Sequence, residues 1–205
     1  MTPGSDSDMD SRTGTGLACA LLVDLVAEDP QWTALGDHDA AAAIAEVTGA
    51  ITANLELPAP RTTATIALGS DAEVRELNKA WRGKDKPTNV LSFPSPPPPK
   101  QGRRIPMERF LGDVILAEET LAREAADLGI AAIDHFRHLV LHGLLHLLGY
   151  DHESETEATV MEALETKILA SIGVADPYAG AEMATAAPSP VTPPVAPHAG
   201  EMSRR

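Results

Sequence analysis

The sequence predicts an α+β fold in which a small mixed sheet of four strands packs against about five helices. Short apolar stretches with β-branched residues alternate with stretches of helical periodicity in the order β-α-β-α-β-β-α-α-α. The third and fourth strands follow each other through a long loop, which favours a mixed sheet over a doubly wound one. A chain of 205 residues, 43% of them hydrophobic, suffices for one domain of about 150 residues with tails.

The first three elements follow from apolar runs, a cap and prolines. Residues 21–27 are apolar and predict the first strand, which a proline ends. Asp37 or Asp39 caps an Ala-rich helix that runs to about residue 55, where prolines again follow. Over 62–68, Thr and Ala alternate with Ile and Leu, which predicts the second strand.

The second helix and third strand precede a run of prolines. Ser70 or Asp71 caps a helix over 72–81. The apolar stripe of this helix consists of Val74, Leu77 and Trp81. Residues 90–93 predict a short strand, and the prolines of 96–99 predict an extended loop, since proline cannot pair within a sheet.

The second half of the chain predicts one strand followed by three helices. Residues 111–116 form the strand, and a helix over 117–128 carries two Glu at its start, where they suit the positive end of the helix dipole. Gly129 stops that helix. Two more helices follow, at 133–148 and 155–172.

The flanking regions differ from the predicted domain, residues 17–173, in composition. Residues 1–16 are rich in Ser, Gly, Thr and Asp, and residues 174–205 hold six of the seventeen prolines and many Ala. Neither region buries enough apolar surface to offset its ordering entropy, so we predict that both are disordered.

The charge distribution is uneven. The net charge of −14 argues against a protein that coats nucleic acid, but residues 81–110 carry seven basic residues against two acidic ones. That segment either steers a polyanion to one face or is a solvated loop with no partner. The candidate RNA-binding residues within it are Lys84, Lys86, Arg103 and Arg104.

The single cysteine and the lack of a long apolar run exclude some metal sites and some cellular locations. Cys19 is the single cysteine, which excludes an internal disulfide and a Cys-based zinc site. No apolar run approaches the roughly 20 residues that span a membrane, and residues 17–23 are too short for a signal peptide. We therefore expect a cytoplasmic protein without membrane contact.

Five of the seven histidines lie between His135 and His152. His142 and His146 are one helical turn apart, so both imidazoles can face one ion. Gly149 can end the helix in the left-handed conformation, which lets His152 return to the same point. Three imidazoles with an open fourth position predict a catalytic zinc site on a zincin-like helix. His135 is expected to be exposed.

The same histidine spacing occurs in the metzincin pattern H-E-x-x-H-x-x-G-x-x-H. Gly149 falls on the glycine of that pattern, but Gly143 takes the place of the Glu that serves proteases as general base. This difference argues against ordinary peptide hydrolysis.

Three motifs together resemble those of the bacterial YbeY family of rRNA maturation factors. Residues 142–152, HGLLHLLGYDH, are similar to the family signature. Residues 77–94, LNKAWRGKDKPTNVLSFP, resemble its second motif, and 111–115, LGDVI, resemble the third. The resemblance covers about 20–173 in the right order. Asn89 departs from the family pattern, which usually has Asp there.

The resemblance implies a zinc-dependent, single-strand-specific endoribonuclease. Such proteins act in maturation of the 16S rRNA 3′ end and in late-stage 70S ribosome quality control. It implies one Zn²⁺ per chain on the three motif histidines and an Arg that faces substrate phosphate, which maps to Arg82. The implied partners are single-stranded RNA and the small ribosomal subunit, reached through a ribosomal protein or a GTPase.

Zinc-bound water and Arg82 are the predicted catalytic groups, because zinc activates water and a guanidinium holds two phosphate oxygens. The general base is left open between zinc hydroxide, Asp151 and His138, and the nucleophile is left open between zinc-bound water and the 2′-hydroxyl of the RNA itself. His138 is also a candidate for a hydrogen bond to one of the metal-ligating histidines or for a contact with substrate. Asp151 is expected to orient His152 or cap the turn, and Tyr150 to stack on a base or pack against the helix end.

Two other classes of function stay open. One is a zinc peptidase or other hydrolase on the same three histidines, which Gly143 disfavours. The other is a ribosome-assembly factor without catalysis, in which zinc holds the fold. The basic residues of 81–110 fit the nuclease and the assembly factor equally well.

Overall fold

A computed structural model describes residues 19–27, 32–97 and 106–179. Within these ranges the chain forms a four-stranded sheet and five α-helices in the predicted order, which confirms the α+β fold class. The strands are β1 Ala20–Ala27, β2 Arg61–Gly69, β3 Val90–Pro94 and β4 Glu108–Ala117. The helices are α1 Ala40–Asn54, α2 Asp71–Arg82, α3 Glu118–Leu128, α4 Ala132–Leu148 and α5 Glu155–Ser171.

The sheet is mixed, as predicted. Its strand order is β1-β2-β4-β3, with β1, β2 and β4 parallel and β3 antiparallel to β4. β4 begins at Glu108, three residues before the predicted start, because its first residues pair with β2 from Arg61 onward. A short 3₁₀ turn at Thr33–Leu35 has no counterpart in the prediction.

The main core lies between one face of the sheet and helices α1, α4 and α5. Every second residue of β2 points into it, from Thr62 through Ala64 and Ile66 to Leu68. α4 lies at its centre, and ten of the seventeen residues of that helix are buried. α4 is therefore held on several sides, which gives the histidines it carries a rigid support.

The other face of the sheet is covered in part by α2. Val74 and Leu77 pack on Leu91 and Phe93 of β3. Trp81, the third member of the predicted stripe, is 72% exposed and touches Phe93 through an edge contact. α2 packs mainly on β3 and β4, and the Trp81 ring at its end stays largely open to solvent.

Side chains that begin helices resolve the alternatives left by the sequence. Asp39, not Asp37, caps α1 by accepting a hydrogen bond of 2.9 Å from the Ala41 amide. Ser70, not Asp71, caps α2 in a reciprocal box with Glu73.

The packed chain continues past residue 173, the predicted end of the domain. Val174 is buried against the core and the Tyr178 side chain contacts α5, because these two residues supply apolar surface at the start of the predicted tail. The predicted disorder of 1–16 and of most of the tail concerns residues outside the described ranges. No helix in those ranges is both long and apolar enough to cross a membrane.

Candidate metal centre

Three imidazoles meet at the end of α4. His142 and His146 lie one turn apart on this helix, and their Nε2 atoms are 3.1 Å from each other. Gly149 adopts φ 97° and ends the helix, a conformation that glycine tolerates without strain. The chain then turns, and the His152 ring comes within 5.4 Å of His142 and 5.0 Å of His146 between centroids. One nitrogen of each ring lies within 4.8 Å of the others.

Hydrogen bonds fix which ring nitrogen is free in His142 and His146. His146 Nδ1 lies 3.0 Å from the Tyr150 carbonyl oxygen, which only accepts, so Nδ1 carries the proton. His142 Nδ1 lies 2.8 Å from a carboxylate oxygen of Glu165 and donates in the same way. Both Nε2 lone pairs therefore face each other, an arrangement that a shared cation stabilises.

Electrostatics favour the neutral, metal-binding form of the central imidazole. Burial lowers the pKa of His146, and the neighbouring His142 and His152 lower it further. A lower pKa keeps the Nε2 lone pair available near neutral pH, which metal binding requires. The residues present fit a metal ion.

Glu165 of α5 is a buried carboxylate behind His142, and the sequence analysis did not predict it. Its oxygens accept from His142 Nδ1 at 2.8 Å and from the Tyr178 hydroxyl, with His138 Nε2 at 3.4 Å. Burial alone would raise the pKa of Glu165, but bonds from His138, His142 and Tyr178 outweigh it and lower that pKa to about 2. The carboxylate is therefore ionised and holds the His142 ring in one orientation.

The Tyr178 hydroxyl acts as a donor to Glu165. Burial raises the pKa of Tyr178, and the Glu165 carboxylate raises it further, so the phenol keeps its proton. Glu165 also belongs, with His138 and His142, to a second group that could hold a metal ion. Because the Glu165 oxygens are already engaged by three donors, the first group, which opens to solvent, is the better metal site.

The three histidines line a cleft of about 640 Å³. Its other wall comes from the polar turn after α2 and from β3, and includes Arg82, Thr88 and Asn89. Arg82 is exposed, and in the described part of the chain no hydrogen bond or ion pair engages its guanidinium. Arg82 and the candidate metal site thus line one cleft, which has room for a polar ligand.

The sequence model of the family Endoribonuclease YbeY matches residues 28–173 of this chain. The chain belongs to the YbeY family. This membership supports an endoribonuclease role and bears out the resemblance carried by the three motifs.

Two relatives illustrate the extent of the similarity, and both are named Endoribonuclease YbeY. The protein of Rhodospirillum rubrum is 58% identical over 121 residues, which are 57% of this chain and 58% of that relative's length. The protein of Paramagnetospirillum magneticum is 48% identical over 153 residues, 73% of this chain and 90% of the relative. The solution structure of TM1509 from Thermotoga maritima matches with TM-score 0.46 and 20% identity, covering 74% of this chain and 91% of that one.

The remaining candidate residues Asp151, Tyr150 and His138 have distinct surroundings. Asp151 Oδ1 accepts from the His152 amide at 2.8 Å, so it caps the turn, and it lies 3.8 Å from His146 Nδ1. Tyr150 packs partly against the core and also lines the cleft. His138 lies behind His142, with Tyr178 and Glu165 as its polar neighbours.

The expectation that His135 is exposed is wrong. α3 packs on α4 and buries this ring, with His135 Nε2 2.9 Å from the Glu124 carboxylate. The same Glu124 oxygen accepts from Asn89 Nδ2 at 2.9 Å. An Asp at position 89 would set two carboxylates against each other here, whereas Asn donates.

The four predicted RNA-binding cations are only partly described. Lys84 and Lys86 are exposed in the turn after α2. Arg103 and Arg104 lie outside the described residues, as does most of the loop that carries them.

Gly143, which replaces the protease Glu, lies where α4 comes close to the sheet. A Cβ atom there would be 2.7 Å from Val114 Cγ1 and 3.3 Å from Ser92 Oγ, and Ser92 also donates to the Gly143 carbonyl at 3.2 Å. A Glu side chain has no room at this position. The helix face that carries the base in metzincins is buried against β3 and β4 in this protein.

We expect Gly143→Ala to lower the free energy of unfolding by about 1–3 kcal/mol, because Val114 is β-branched and cannot move aside cheaply. Gly49→Ala in α1 is the matched control. Nothing lies within 4 Å of a Cβ there, so it should stabilise by about 0.5–1 kcal/mol. Denaturant unfolding of the metal-free proteins measures both, and equal stabilisation by both changes would contradict the close contact.

Proposed function

We propose that this chain is a zinc-dependent endoribonuclease that cuts single-stranded RNA. Its process would be maturation of the 16S rRNA 3′ end and late-stage quality control of the 70S ribosome, in the cytoplasm. One observation carries the proposal: His142, His146 and His152, which together could hold a metal ion, line one cleft with Arg82. Membership of an endoribonuclease family supports RNA as the substrate.

Zinc suits the donor set. Catalytic zinc sites use three protein ligands with Zn–N bonds of about 2.0–2.1 Å and keep a fourth position open. His142, His146 and His152 would hold the ion, and a bound zinc would supply Lewis acidity and an activated water. Glu165 and the Tyr150 carbonyl keep the His142 and His146 rings aimed at the ion.

Arg82 would bind the phosphate that is cut. A guanidinium offers two parallel N–H donors to two phosphate oxygens, which both holds the group and stabilises the charge that develops on it. Arg82 lines the histidine cleft and is free of carboxylate partners among the described residues, so its donors are available to RNA.

The general base that accepts the proton of the nucleophile is not assigned to one residue. Of the two side chains considered as base, Asp151 lines the cleft and is exposed, while His138 lies behind His142 against Glu165. Attack by the RNA 2′-hydroxyl needs the same phosphate clamp. We also propose that the protein reaches the small ribosomal subunit by binding a ribosomal protein or a GTPase.

Cleavage of a 16S 3′-end fragment tests the proposed function. We expect the wild-type protein to cut the fragment as a single strand and not as a duplex with its complement. A chelator should stop cleavage, and added zinc should restore it. Cleavage that survives chelation would contradict zinc dependence, and bound zinc without cleavage would favour the assembly factor.

A further inference from the structure

A second, apolar groove of about 940 Å³ lies on the outer face of the sheet. Three of the chain's five Trp and Phe residues line it, namely Trp81, Phe93 and Phe110. Trp81 is 72% exposed and Phe110 42%. Aromatic side chains that line one groove together and remain exposed indicate a binding surface.

The Trp81 ring is supported on one edge and open elsewhere. It meets Phe93 in an edge contact, with 5.8 Å between ring centroids and 65° between planes. A Trp side chain has two rotatable bonds and loses little conformational entropy on binding. Trp81 therefore offers a flat surface that needs little rearrangement.

The groove and the cleft of the candidate metal centre both border β3. Ser92 and Pro94 of β3 line both the groove and the histidine cleft. Arg82 in the cleft directly follows Trp81 in the groove. A strand whose phosphate lies at Arg82 would thus have a neighbouring base within reach of the Trp81 ring.

The turn after α2, beside the groove, carries a net positive charge, while the exposed Asp113 lines the groove itself. Asp85, the acidic residue of the turn after α2, is engaged by Arg75 at 2.7 Å and Lys79 at 3.1 Å. Lys84 and Lys86, like Arg82, have no acidic partner in the three described ranges. Lysines are depleted at protein–protein interfaces, whereas cations beside exposed aromatic rings are typical of single-strand binding.

We propose that this groove is a base-stacking platform for the RNA next to the scissile phosphate, with Trp81 as its main contact. The inference rests on the proposed function and extends it, because it assigns a contact to bases rather than to the phosphate. Stacking depends on an unpaired base, so the platform also gives a physical reason for a preference for single strands.

Binding of RNA by zinc-loaded, full-length protein tests the platform. The probe is a fluorescein-labelled, 2′-O-methylated uridine oligonucleotide of about eight nucleotides, checked on a gel to stay intact. By anisotropy, we expect Trp81→Ala to weaken binding about tenfold and Trp81→Phe less than about threefold. Leu128→Ala removes an equally exposed apolar side chain on α3 and should change nothing. Circular dichroism checks that each variant is folded.

An abasic oligonucleotide of the same length separates stacking from charge. It keeps the phosphates, so wild type and Trp81→Ala should bind it equally. Equal binding of the uridine oligonucleotide by these two proteins, with cleavage by wild type intact, would overturn the platform and leave the proposed function standing. Wild type that neither binds nor cleaves single-stranded RNA would overturn both. A fall from dimer to monomer in Trp81→Ala, with RNA binding unchanged, would assign the groove to a second copy of the chain and overturn the platform.

Discussion

Replacing Arg82 by Gln is expected to lower the rate of RNA cleavage about 100-fold while bound zinc stays at one ion per chain. Loss of one preorganised donor to a developing oxyanion costs a factor of about 10²–10³. Arg82 touches none of the three histidines through a hydrogen bond in the described residues, so the metal site should persist. Single-turnover cleavage of single-stranded RNA and elemental analysis measure the two effects.

Two further variants isolate the role of Arg82. Arg82→Lys keeps the charge but loses the two-donor fork, and we expect it to recover a minor part of the rate. Arg61→Gln removes an equally exposed guanidinium on β2, outside the cleft, and should cleave like wild type. Equal rates for Arg82→Gln and Arg61→Gln would contradict a phosphate clamp at Arg82.

Glu165→Gln is expected to weaken zinc binding about 10–100-fold, the usual effect of losing a hydrogen-bond partner of a metal ligand. The variant keeps the size of the side chain but removes the charge that the His142 Nδ1 proton and the Tyr178 hydroxyl share. Competition with a chelating dye measures the affinity. The ¹⁵N shifts of the His142 ring report whether Nδ1 still carries the proton.

Glu162→Gln controls for charge on the same helix. Glu162 is exposed one turn before Glu165, and its replacement should leave zinc affinity within about twofold of wild type. Wild-type zinc affinity in Glu165→Gln would show that the His142 ring is positioned by packing alone.

The sequence was enough to predict the helix that carries the site. The apolar periodicity of residues 133–148 and the glycine after them located α4 and its end, and the spacing of His142, His146 and His152 predicted that these three rings come together in a group that could hold a metal ion. These signals are local, because each depends on residues within two or three helical turns of one another.

Features that depend on packing between distant elements escaped prediction. Glu165 follows His142 by 23 residues in an ordinary helical sequence, and its burial results from α5 packing on α4. His135 was expected to be exposed because the sequence does not show that α3 covers it. Trp81 fits the apolar stripe of α2, yet its side chain is largely exposed to solvent.

Gly143 is a second case in which the sequence did not show how distant elements pack. The sequence indicated that the protease base is absent, which argued against peptide hydrolysis. The absence of a Glu at position 143 has a steric reason that only the packed structure shows. Val114 and Ser92 occupy the space that any side chain at 143 would need.

The central claim is that His142, His146 and His152 together hold one zinc ion on which RNA cleavage depends. Zinc content and cleavage of single-stranded RNA, measured on one preparation of each protein, test it most directly. The proteins are wild type, the three single His→Ala variants, and His38→Ala as control, since His38 is exposed and outside the cleft. We expect one zinc per chain and cleavage in wild type and His38→Ala, and loss of both in the other three. Full zinc content or undiminished cleavage in any of those three would contradict it.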